Sequence, residues 1–137
     1  MWDFAAAFFS GTKTIAYLQN KTGKGHSDFG DKIPITLEGL GYVPDDVPIV
    51  ILTSNRIYNT ENCVVYQLAD LRNNIIVIGT PTGGGNFDIL RDVFLPNSWR
   101  LSFPASKWFS PSGRNMEYEF QPTIHAEGDD KYVKALE

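Results

Sequence analysis

The stretch PIVILTSNRIYNTENCVVYQLADLRNNIIVIGTPTGGG, Pro48 to Gly85, decides how this chain folds. Residues 47–52 are continuously apolar apart from Pro48 and read as a strand covered on both faces. Over 60–72, Val64, Leu68 and Leu71 recur at i, i+4 and i+7, with Val65 and Ala69 widening the stripe, which predicts a helix buried on that face. Asn59 fits its N-cap, accepting from an early helix amide while Asn62 reaches back, an asparagine variant of the capping box. Asn73 and Asn74 end the helix, and 75–79 is a second fully apolar strand. Strand, helix, strand with short connections is a βαβ unit with an expected right-handed crossover, so the fold class is α/β.

Working outward, Phe4 and Phe8 lie four apart beside Ala5 and Phe9, predicting a short helix over 3–10 that ends on a left-handed Gly11. Residues 14–18 have strand composition, and 20–30, with three glycines and His26, have loop composition. The run 33–37 is expected to pair with 47–53 across the cluster Gly39, Gly41, Pro44, Asp45, Asp46. Further strands are expected at 90–95, 99–103 and 118–120, with turns at Pro96 and Asn97 and at 111–113. Asp130 can cap a last helix with Tyr132, Val133 and Leu136 inward. No repeat, low-complexity segment or linker divides the chain, so residues 1–137 read as a single domain.

Composition narrows the function classes. With 42% hydrophobic and 13% aromatic residues in 137, the chain is rich enough in core formers to exclude disorder. Twelve Lys plus Arg against sixteen Asp plus Glu give −4, which argues against a nucleic-acid partner. No apolar run approaches the roughly 20 residues needed to cross a bilayer, so no membrane insertion is expected. The start lacks a basic segment and a small-residue cleavage site, so a signal peptide is expected to be either absent or already removed. Cys63, the single cysteine, has no disulfide partner and no second thiolate for a metal site. It reads as a small core hydrophobe, and neither a metal nor a cofactor is expected.

In open α/β sheets ligands bind beyond the carboxyl ends of parallel strands, beside helix N-termini. Here that edge holds 53–62 and the loop GTPTGGG, Gly79 to Gly85, which should face one crevice. Three successive glycines suit an amide nest or oxyanion hole, or simply a flexible turn. No lysine follows them, so the loop is not a phosphate-binding one. Catalytic groups are scarce. Asn59 has no nucleophilic oxygen or sulfur, and Thr60, Tyr58 and Ser54 fit turn or cap roles. His26 and His125 lie far apart in sequence, and Glu61 is explained by the helix dipole.

The run Pro48 to Gly85 nevertheless resembles the core of the S41 serine peptidases, the carboxyl-terminal processing or tail-specific proteases. GKGHSDFG at Gly23 to Gly30, LPNSWRLSF at Leu95 to Phe103 and QPTIHA at Gln121 to Ala126 resemble further family segments in the family's order. The resemblance implies a ClpP/crotonase-like spiral, an extended polypeptide or C-terminal tail as substrate, and a bacterial periplasmic or exported location. It places the family's nucleophilic serine at Asn59 and the general-base lysine of many members near Gly84. Neither residue can do that chemistry. It carries over Tyr58, Thr82, Gly83, Gly84, Gly85 and His26 as substrate-binding positions, with Thr60 as the remaining candidate nucleophile. An upstream glycine-pair strand of the family has no counterpart in the chain, which looks like the C-terminal half of the catalytic domain. Three functions follow as expectations: an inactive or incomplete part of a peptidase, a pseudo-peptidase that binds extended peptides by strand addition, and an assembly module that forms a homodimer through an open sheet edge.

Overall fold

The computed structural model describes residues 2–85 and 90–136. In chain order the elements are α1 (Trp2–Ala6), β1 (Ser10–Lys21), β2 (Phe29–Leu40), β3 (Ile49–Thr53), α2 (Thr60–Leu71), β4 (Ile75–Gly79), β5 (Leu90–Phe94), β6 (Arg100–Pro104), β7 (Ser106–Phe109), β8 (Ile124–His125) and α3 (Asp130–Leu136), with a 3-10 turn at Pro96–Ser98. They form an antiparallel sheet β2-β1-β7, a parallel sheet β3-β4-β8 and the hairpin β5-β6. The fold is mixed α/β, and the βαβ unit is present: β3 and β4 pair in parallel from Ile49↔Ile75 to Thr53↔Gly79, with α2 between them in the chain.

Several local expectations are corrected. Residues 33–37 pair with β1, not with 47–53, because a seven-residue loop between β1 and β2 brings their neighbouring segments together first. The helix at the start stops at Ala6, and Gly11, at φ 70°, lies inside β1 rather than at a helix end. The register of β1 against β2 jumps between Thr14 and Ala16, and this bulge lets the adjacent Ile15 and Ala16 both be buried, which strict alternation forbids. β3 is an edge strand among the described residues, and Val50 on it is exposed, so it is not covered on both faces. Residues 118–120 are not a strand, whereas β7 and β8 carry weak strand signals that sequence reading passed over. Tyr132, Val133 and Leu136 on α3 are exposed rather than inward.

The helix stripe is also shifted. α2 buries Asn62, Cys63, Val65, Tyr66, Gln67 and Leu68, while Val64 is only half-buried. It is therefore enclosed on a broad face that includes polar side chains. Cys63, Val65 and Tyr66 pack with Ala16, Val77, Trp108, Met116 and Phe120, and Tyr66 meets Phe120 edge to face at 4.9 Å between ring centroids.

Asp70 fastens the 110–114 turn to α2. Its carboxylate accepts from the Ser112 amide at 2.9 Å and hydroxyl at 2.7 Å and pairs with Arg114. The Arg114 guanidinium in turn lies 4.9 and 4.8 Å from the ring centroids of Tyr66 and Phe120. Burial pulls the Asp70 carboxyl up, but hydrogen bonds from Ser110 and Ser112 and the charge of Arg114 outweigh it and hold the group below its usual value of 3.8. A carboxylate lowered in this way contributes stability in full above that value and loses it as pH falls through the folded pKa. The stability gap between the native chain and Asp70→Asn should thus be constant above about pH 5 and close below about pH 4. Urea denaturation from pH 3 to 7 checks this, and a gap that widens toward acid would contradict it.

Candidate functional site

β3 ends at Thr53, and the chain turns through 54–58, where the Ile57 amide donates to Ser54 O at 3.0 Å, before α2 starts at Thr60. The hinge of this strand-turn-helix is Asn59, at φ 57° and ψ −121°. That conformation is nearly reserved for glycine and costs of order 1–3 kcal/mol for another residue. The Asn59 side chain makes no capping hydrogen bond, so the expected capping box is absent, and the residue stands exposed at the helix start.

What holds the strained residue is the glycine loop. The Asn59 amide donates to Gly84 O at 2.8 Å, and Gly83 N–H donates to Ile57 O at 2.7 Å. Tyr58 and Gly84 form a parallel bridge. The loop is held from its other side, with Gly85 N–H donating to Glu117 O at 2.9 Å and Thr82 N–H to Phe120 O at 3.2 Å. Segments 57–59, 82–85 and 117–120 thus lie side by side. Gly84 is needed here: at φ 67°, a Cβ on it would come within 2.9 Å of Glu117 O.

Asn62 has a different task from the one expected. Its amide donates to Met116 O at 2.9 Å and Tyr118 O at 3.0 Å, and its oxygen accepts from the Thr82 hydroxyl at 2.5 Å. The Thr82 hydroxyl itself accepts from Phe120 N–H at 2.7 Å. Both side chains are fully enclosed, so this brace locks helix, glycine loop and 116–120 into one unit. Its sequence signal is an Asn on the helix face that carries Cys63, Val65 and Tyr66, where a capping role also fits the residue type. Segment 115–120 reads in sequence only as an expected strand at 118–120, with nothing that marks it as part of a site.

The structure therefore brings Tyr58, Asn59 and Gly83 to Gly85 into direct contact, rather than facing each other across an open crevice. The Gly83 and Gly85 amides are donated within the protein, not left as a nest. Thr82 is buried in the brace, Thr60 is exposed as the first residue of α2, and Tyr58 is exposed. His26 lies apart, on a separate cavity with Lys21, Phe29 and Glu117, and His125 is 3.5 Å from Glu127. Cys63 is no substitute nucleophile, because burial pushes its thiol up and the Sγ lies 3.4 Å from Asn59 O as a donor. Beyond the ends of β3 and β4 is a cavity of about 540 Å³ bordered by Asn55, Thr80, Gly83, Glu119 and Glu127.

The family model for peptidase family S41 matches residues 1–126. Among solved structures, a candidate peptidase from Parabacteroides merdae has a TM-score of 0.75 at 26% identity, covering 96% of this chain and 41% of that one. A lipoprotein from Streptococcus agalactiae has a TM-score of 0.62 at 14% identity over 97% of this chain and 46% of its own. The photosystem II D1 C-terminal processing protease gives 0.65 at 13% identity over 91% and 30%. These last two share the fold. The chain spans less than half the length of each of these three structures. None of the curated proteins matches it significantly.

Proposed function

Because the chain belongs to peptidase family S41, we propose that it is the elbow-bearing, C-terminal part of a serine-peptidase catalytic domain that holds an extended polypeptide without cutting it. The observation that carries this reading is the backbone of Asn59: a non-glycine residue at φ 57° and ψ −121° between strand and helix, exposed and fixed by Gly84. Acyl transfer needs an oxygen or sulfur nucleophile at such an elbow, and a carboxamide supplies neither. The neighbouring Thr60 belongs to regular helix, and its hydroxyl is not bonded to either histidine among the described residues. A polypeptide lying along 58–60 would meet the exposed Tyr58 ring and the positive end of the α2 dipole. In the same reading the parallel β3–β4 pair and α2 are one turn of a ClpP/crotonase-like spiral.

The purified chain is expected to leave fluorogenic peptides and unstructured proteins intact. Mass spectrometry of the mixture checks this. Cleavage that is abolished by Thr60→Ala would overturn the reading and make Thr60 the nucleophile.

A further inference from the structure

A cavity of about 390 Å³ separate from the elbow is floored by Phe29, Phe103 and the buried Ala105 and rimmed by Lys21, Lys24, Lys107 and His26. Its construction is specific. The Lys21 amide donates to Ala105 O at 2.9 Å, tying the base of the β1–β2 loop to the start of β7. The Phe29 ring then lies under two ammonium groups, Lys21 at 4.6 Å and Lys107 at 4.2 Å from its centroid. Asp28, the carboxylate nearest in sequence, is turned onto the Gly25 amide at 2.6 Å and does not line the cavity. Among the described residues, Glu117 is the single carboxylate on the wall. Two lysines over an aromatic floor and a third on the rim thus face one opposing charge among the described residues, in a chain whose net charge is −4.

We propose that this cavity is a subsite for an acidic side chain flanked by an apolar one in an extended polypeptide. The cations complement the carboxylate, while the aromatic floor takes the neighbouring apolar group. A polypeptide fits better than an anionic membrane surface because the site is concave. It also fits because Glu117, on its wall, accepts through its main-chain oxygen from the Gly85 amide beside Asn59, so one chain can run from the elbow into the cavity. The inference rests on the polypeptide-binding reading above and adds to it the sign of charge that the partner carries.

The test measures fluorescence anisotropy of three labelled, unstructured peptides that differ only in having Glu-Phe, Gln-Phe or Lys-Phe at their centre. The full chain and the double variant Lys24→Gln, Lys107→Gln are compared, with thermal melts to show that both are folded. The Glu peptide is expected to bind the native chain about tenfold more tightly than the Gln peptide, and the double variant to lose that preference while still binding the Gln peptide. Raising salt from about 50 to 200 mM should weaken the Glu peptide selectively. Equal binding of all three peptides would overturn the subsite and leave polypeptide binding standing. Binding of none would overturn both readings, and lysine-dependent capture on phosphatidylserine vesicles in that case would assign the patch to a membrane surface.

Discussion

Arg72→Ala is expected to remove about 4 kcal/mol or more of stability, a large part of the total for a domain of this size. Arg72 is buried directly after α2, and it faces main-chain oxygens rather than a carboxylate. One guanidinium nitrogen donates to Phe8 O at 3.2 Å and Val43 O at 3.3 Å, the other to Pro44 O, Asp45 O and Val47 O at 2.7 to 2.9 Å, and Nε to Asn74 Oδ1 at 3.0 Å. Five N–H groups thus serve six acceptors, with the two N–H of the second nitrogen shared among Pro44 O, Asp45 O and Val47 O. These bonds join the end of the first helical segment, the 43–47 turn and the helix C-terminus. Alanine leaves several carbonyls enclosed without a donor, each costing about 1–3 kcal/mol. Lysine keeps the charge but has three donors on one atom, so Arg72→Lys should lose roughly half as much. Guanidinium denaturation measures both, and a loss below about 1 kcal/mol for Arg72→Ala would show that the carbonyls find water instead.

Gly79→Ala should cost about 3 kcal/mol or more, and its damage should centre on the site. Gly79 ends β4 at φ 142°, where a Cβ would come within 2.1 Å of Thr53 O. That oxygen is backbone of the paired strand and accepts from the Thr80 amide, while Gly79 O accepts from Ala126 at 2.9 Å. The carboxyl ends of β3, β4 and β8 would have to separate to admit one methyl group. The amides of Thr80 and Ala126 should accordingly lose hydrogen-exchange protection before the β1–β2 pair does. A variant within 0.5 kcal/mol of native stability, with those amides still protected, would contradict the close approach.

Local periodicity was enough to read the βαβ unit, because α2 and β4 each have an unbroken pattern and short connections. It failed where partners were remote. Residues 33–37 look like any half-buried strand, and only the three-dimensional pairing tells that their partner is β1. Exposed Val50 looks like a core residue because a β3 edge has the same composition as a central strand. The helix face was misjudged because Asn62 and Gln67 are polar by type yet fully enclosed, and the bonds that make Asn62 acceptable come from Thr82, Met116 and Tyr118, 20 to 56 residues away. At the site, sequence order brought out Asn59 and the three glycines. Their hydrogen bonds to each other and to 117–120 depend on backbone carbonyls, which leave no trace in residue type.

Residue 59 is a strained elbow set by the backbone rather than a helix cap set by its side chain. Equilibrium denaturation of Asn59→Gly and Asn59→Ala beside the native chain separates the two. Glycine relieves the positive φ and should stabilise by about 1 kcal/mol, and alanine, which removes no capping hydrogen bond, should stay within about 0.5 kcal/mol of native. A capping asparagine would give a different pair of values: alanine lower by about 1 kcal/mol and glycine lower by a few tenths, and that result would contradict the elbow.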